Sequence, residues 1–98
     1  KMIKNYNKID SFLIKSVFRL QTRNKLIVTG NVKSDSELEN YKINTIVLKD
    51  LMIPINIVNE TVIENQSYLA LTFDMNYIDE DLLFEIMKLK QGQVIEIG

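Results

Sequence analysis

Apolar and polar residues alternate through most of this chain, and the alternation becomes regular at Ser11. Over residues 11–20, Phe12, Ile14, Phe18 and Leu20 fall on one side of an extended strand, with Ser16 as a gap. Lys15 and Arg19 fall on the other side. The polar Gln21-Thr22-Arg23-Asn24 turns the chain into a second run, residues 25–33. There Leu26, Val28, Gly30 and Val32 share one face, while Ile27, Thr29 and Asn31 share the other. A glycine inside such a run marks a bulge or a close approach of backbone, which is the expectation for Gly30. Ser34-Asp35-Ser36-Glu37 then reads as a polar turn.

The pattern continues with a third strand over residues 43–48 and a tight turn at Lys49-Asp50. Residues 52–58 read as a fourth strand. Pro54 lacks the N–H a ladder needs, so that strand should lie at an edge, or be bulged or short. Residues 61–64 form a weaker fifth. Residues 68–73 form a sixth, with Leu69, Leu71 and Phe73 alternating against Tyr68, Ala70 and Thr72. Period two fails only over residues 79–90, where Leu82, Leu83, Ile86, Met87 and Lys90 fall at helical spacing and Asp79 or Glu80 is placed to cap the start. Lys90-Gln91-Gly92 ends this short helix, and residues 93–97 make the last strand. The fold class expected is all-β, or mainly β with one short helix. Its architecture is a small Greek-key β-barrel of about six to seven strands. Residues 1–10 are rich in Asn and Lys, with Ile3, Tyr6 and Ile9 as spaced apolar groups. They read as an N-terminal arm, or as a first strand if Ile3 and Ile9 find a groove, leaving residues 11–98 as a single domain.

Composition supports an independent core and narrows the chemistry. Of the 98 residues, 46% are apolar and 26% charged, the balance of an ordinary globular protein. Cysteine and histidine are both absent. Disulfides, thiolate metal sites, Ser-His-Asp or Cys-His catalysis and paired-histidine zinc sites are thereby removed together. The three glycines, Gly30, Gly92 and Gly98, build neither a phosphate loop nor a dinucleotide fingerprint. No apolar run suits a secretory signal or a bilayer span, so a soluble, cytoplasmic protein with no membrane partner is expected. The reading is of a non-enzyme with no catalytic residue, no metal and no small-molecule cofactor.

Charge is distributed unevenly. Residues 1–33 hold eight lysines and arginines against Asp10, a net +7, and residues 34–98 hold four against twelve carboxylates, a net −8. Either this asymmetry orients a partner through its field, or strands from the two parts interleave and neutralise one another. The candidate nucleic-acid-binding residues are Lys15, Arg19, Arg23 and Lys25, with Lys33 beyond them. Phe12 and Phe18 fall opposite Lys15 and Arg19, on the expected core face, and make poor stacking platforms for bases. The candidate acidic partner-binding residues are Asp79, Glu80, Asp81 and Glu85, on the expected helix. Paired carboxylates serve glycosidases, but so small a chain has little room for a sugar cleft, and a solvated helix start accounts for them. Asp35-x-Glu37-x-Glu39 alternates like a calcium loop, but Asn40 stands where the turn glycine belongs, so a surface turn is expected there.

Four stretches together resemble domain 2, the β-barrel, of the translational GTPases such as elongation factor Tu. They are Phe12-Leu13-Ile14-Lys15-Ser16-Val17-Phe18, Ile27-Val28-Thr29-Gly30-Asn31-Val32, Leu38-Glu39-Asn40-Tyr41-Lys42-Ile43 and the closing Gly92-Gln93-Val94. The chain departs from that pattern where Tyr41-Lys42 replaces a Gly-Asp turn and where Asp35 or Ser36 replaces a glycine. In that family the barrel holds the acceptor end of aminoacylated tRNA or contacts the ribosome, while a neighbouring domain hydrolyses GTP. The resemblance implies a free-standing or excised barrel that binds and does not catalyse. Two functions remain open. One is a non-catalytic binding module acting through protein or RNA contacts. The other is a small acidic immunity or antitoxin-type protein that covers a basic toxin's active site.

Overall fold

The computed structural model describes residues 10–33 and 43–98. The arm at residues 1–9, the polar turn at 34–37, the calcium-like spacing at 35–39 and the Leu38–Lys42 part of the family wording lie outside the described residues. Asp10, expected to end the arm, instead opens the first strand and pairs with Ile97.

Three hairpins supply six of the strands. Strands β1 (Asp10–Leu20) and β2 (Lys25–Val32) are joined by a 3₁₀ turn at Gln21–Arg23 that closes on Asn24, at φ 54°. Strands β3 (Thr45–Leu48) and β4 (Leu51–Pro54) meet through Lys49 and Asp50, with φ 51° and 67°. Strands β5 (Ile57–Ile63) and β6 (Gln66–Asp74) meet through Glu64 and Asn65, with φ 52° and 67°. Two left-handed residues in succession give the hairpin turn whose twist matches that of its strands, and Asn and Asp tolerate that conformation better than most residues. A short helix, α1 (Glu80–Met87), leads to β7 (Val94–Ile97), which slots between β3 and β1. The result is mainly β: one antiparallel sheet in the order β4-β3-β7-β1-β2-β6-β5.

The sheet is not closed by its ladder, which ends at β4 on one side and β5 on the other. Those two ends are consecutive in the chain. The Ile55 N–H donates to the Asn44 carbonyl beside β3, and the Asn56 N–H donates to the Thr72 carbonyl in β6, each at 2.8 Å. The main chain thus crosses from one end of the sheet to the other in two residues, which requires the sheet to curl until its ends approach there. The single fourth strand expected over residues 52–58 is therefore two strands on opposite edges. The pairing with β3 runs past Pro54 to the Ile55 N–H, so the missing N–H of Pro54 lies on the open side of β4, where it suits an edge strand. The weak fifth strand is longer than its pattern suggested, and Glu64 belongs to the turn.

Inward-facing residues of the curled sheet make the core: Phe12, Leu26, Val28, Ile46, Ile53, Leu71, Phe73 and Ile97 are fully enclosed. Helix α1 adds Ile86 and Leu83. Gly30 sits where backbone and core meet most closely, facing Leu13 and the Phe12 ring.

One feature of β1 overturns the expected face assignment. Ile14 pairs with Gly30 and Ser16 with Thr29, so Lys15 has no residue opposite it and forms a bulge. Beyond the bulge the inward phase is reversed. Val17, opposite buried Val28, packs against the core, whereas Phe18 and Leu20 are 43% and 37% exposed. The outward Ser16 and Thr29 hydroxyls share a hydrogen bond of 2.6 Å, which satisfies the buried threonine. This phase is testable by an aspartate pair. Val17→Asp should destabilise by roughly 3 kcal/mol or more, because a carboxylate is driven against the core, and Phe18→Asp by less than half as much. Urea titrations giving the opposite order would show an unbulged strand.

Candidate functional site

The bulge decides what becomes of the basic residues. Lys15 is turned to the outer face of the sheet, where its ammonium lies 3.6 Å from Glu64 Oε1 and 5.8 Å from the centre of the Tyr68 ring. Arg19, past the bulge, stands opposite Leu26 on the inward side, at the end of the sheet where α1 lies. The two were expected to share a face and do not. Lys25 is directly opposite Asp74 in the β2–β6 register and pairs with it at 3.3 Å. Arg23 is exposed in the 3₁₀ turn. The candidate nucleic-acid residues therefore do not form one stripe, and two of them face carboxylates of the acidic remainder of the chain. Interleaved strands neutralise the charge asymmetry at these points, as one of its two readings held.

The acidic residues divide as well. Glu85 is spent within the fold: its two oxygens accept from Lys49 at 3.3 Å and Lys88 at 3.4 Å, tying α1 to the β3–β4 turn. It is not an open partner-binding carboxylate as expected. Asp79, Glu80 and Asp81 are exposed and form no ion pair among the described residues. Asp79 occupies the N-cap position, yet its side chain makes no capping hydrogen bond.

Two carboxyls are held below their ordinary values. For Asp74, ordinarily 3.8, the main cause is the Asn76 backbone N–H at 3.0 Å. Burial opposes it and Lys25 reinforces it. For Glu85, ordinarily 4.5, the main cause is the Lys49 hydrogen bond. Burial again opposes it and Lys88 adds to it. A depressed folded-state value means that the stability contributed is complete above the ordinary value and is lost as pH falls through the lower one. Melting temperature should therefore decline as pH falls through and below the ordinary carboxylate values, and Asp74→Asn should remove part of that decline. An acid limb identical in the variant and the parent would refute the assignment to Asp74.

A groove of about 300 Å³ lies between the end of β1 and α1. Arg19 lines it from β1 and Glu80 and Asp81 from α1, and Met75, Phe84 and Met87 give it apolar surface. Phe84 is 64% exposed and Met87 46% exposed. Met75 and Phe84 were missed in the sequence, and Met87 was grouped with the helical stripe of Leu83 and Ile86, although a signal existed. Phe84 and Met87 are three apart on α1 and lie off the stripe that buries Leu83 and Ile86, so they share a second apolar face. The groove can receive a bulky apolar side chain with a charged group beside it.

A second groove, of about 270 Å³, lies at the bulge among Leu13, Lys15, Asn31, Gln66 and Tyr68, next to Gly92. The Gly92 N–H donates to the Ile14 carbonyl, and the Ile14 N–H donates to the Gln93 carbonyl, each at 2.9 Å, which fixes that loop on β1. The Tyr68 hydroxyl donates to Gln66 at 2.9 Å, and Lys15 is engaged by Glu64. Its polar groups thus largely answer one another.

Among the described residues no group of three metal-binding side chains converges, and no helix is long and apolar enough to cross a membrane. Comparison of the chain with family models, with curated proteins and with solved structures finds no match.

Proposed function

We propose that this chain is a non-catalytic binding module that acts by protein contact, with the groove between β1 and α1 as its docking site. One observation carries the reading. The groove sets the exposed Phe84 and Met87 beside acidic groups that form no ion pair among the described residues, whereas the cations suited to RNA are dispersed over two faces and partly paired. The likeness of residues 12–32 to domain 2 of the translational GTPases supports the same reading, since that domain binds while its neighbour does the chemistry. The immunity-type alternative draws on Asp79, Glu80 and Asp81, which would meet a basic partner at the same end of the molecule.

The test is photo-crosslinking in the cell that makes the protein. A benzophenone amino acid at position 84 should trap a protein, and the same group at Val62, an exposed site on β5, should not. Adducts that ribonuclease removes, or equal trapping at both positions, would overturn the proposal.

A further inference from the structure

We infer that the groove between β1 and α1 selects a partner segment with a bulky apolar side chain next to a lysine or arginine, and that its two charged walls set the segment's direction. This rests on the protein-binding reading and adds the partner's chemistry. The volume, about 300 Å³, is at the small end for binding pockets and suits one anchoring side chain. Met75 and Met87 are flexible and polarizable and adapt to the shape of an aliphatic or aromatic anchor, while Phe84 supplies a ring face.

Charge then discriminates among segments that carry such an anchor. Glu80 and Asp81 line one wall, with Asp79 adjacent in sequence, and none has an ion-pair partner among the described residues. Glu85, one turn further along α1, is already neutralised by Lys49 and Lys88. Three carboxylates without an ion pair among the described residues therefore stand together at the start of the helix, and their charge exceeds the partial positive charge of its N-terminus. A cation beside the anchor is attracted there, and an acidic segment or a phosphate backbone is repelled. Arg19, across the groove, favours a carboxylate or carbonyl at the segment's other end. A segment entering backwards places its cation against Arg19, which fixes one orientation.

Random peptides displayed on phage, selected on the whole chain, test this directly. The parent should enrich peptides with an apolar residue beside a lysine or arginine. A variant carrying Glu80→Lys and Asp81→Lys should enrich an apolar residue beside aspartate or glutamate instead. The best peptide from the parent, synthesised and read by fluorescence anisotropy, should bind this variant roughly tenfold more weakly, the order expected when two exposed charge contacts are reversed. Phe84→Ser should weaken it at least as much. These side chains are exposed, so thermal melts of both variants should remain cooperative and lie within a few degrees of the parent, the double reversal losing a little because lysines in the first turn of α1 oppose the helix dipole. Selected peptides without a basic residue, or affinity unchanged by the double reversal, would overturn the inference. If that happens while position 84 still crosslinks to a protein in the cell, the inference alone falls. If the crosslink is lost, the docking reading beneath it falls too.

Discussion

Replacing Gly30 with alanine should destabilise the protein by about 3 kcal/mol, the upper range for forcing an atom into a filled interior. The cause is steric and does not lie in the glycine's own dihedrals. A Cβ at position 30 would stand 2.1 Å from the Leu13 carbonyl oxygen, 2.6 Å from Phe12 Cε2 and 3.0 Å from the Leu13 carbonyl carbon. Two of those three atoms are backbone. The third belongs to a ring with no solvent-exposed surface, so it cannot swing aside. Relief requires β1 to lift away from β2 next to the bulge, where the ladder already lacks a partner for Lys15. Gly92→Ala is the control. Gly92 has φ 94° and nothing within 4 Å of the added carbon, so only backbone strain opposes the change, at roughly 1 kcal/mol. Urea unfolding of the two variants separates the causes. If Gly30→Ala costs no more than Gly92→Ala, the close approach of β1 and β2 at this point is wrong.

That glycine shows how much of the fold could be read in the chain. Its place inside an apolar run pointed to a bulge or a close approach, and the structure has both: a bulge in the facing strand and backbone contact across the pair. Turn residues were equally legible, since Lys49-Asp50 stands between two apolar runs and adopts the expected tight turn. Which strand carries the bulge was not legible. Ser16 looked like a gap in an alternating face, although it marks the point after which the alternation reverses, and a local pattern cannot show which strand contains the extra residue. Phe18, Arg19 and Leu20, all past the bulge, were misassigned for that one reason, while Lys15 lies outward as its alternation indicated. The exchange of partners at Pro54 is likewise set by which strands meet in three dimensions, whereas the edge position of Pro54 follows from its missing N–H. In the candidate site, the acidic start of α1 was legible from sequence. The groove was not, because Arg19 reaches it from a distant part of the chain. Glu85 showed nothing in sequence of its engagement with Lys49, a residue of another hairpin.

Truncating Ile86 to alanine should cost about 3 kcal/mol, and its consequence should extend to the binding surface. Helix α1 has eight residues, too few to be stable alone in water, so its helicity depends on what it packs against. Ile86, fully enclosed, and Leu83, 7% exposed, join it to the core, with the half-buried Leu82 packed beside them. The exposed end of the Lys49–Glu85 link contributes little, as ion pairs at the surface generally do. Removing three carbons from position 86 therefore leaves a cavity under the helix that the curled sheet cannot fill. In a domain whose whole stability is on the order of 5–15 kcal/mol, the loss should lower the melting temperature by roughly 10 °C or more. Phe84→Ser is the instructive contrast, because Phe84 is mostly exposed and its loss should shift stability by only about 0.5 kcal/mol. Both changes should reduce partner capture at the groove, one by loosening the helix that carries its acidic wall and the other by removing a contact. Hydrogen exchange should tell them apart, with amides of residues 80–87 losing protection in Ile86→Ala and keeping it in Phe84→Ser. If Ile86→Ala melts with the parent and retains that protection, α1 does not belong to the core, and the groove loses its supporting wall.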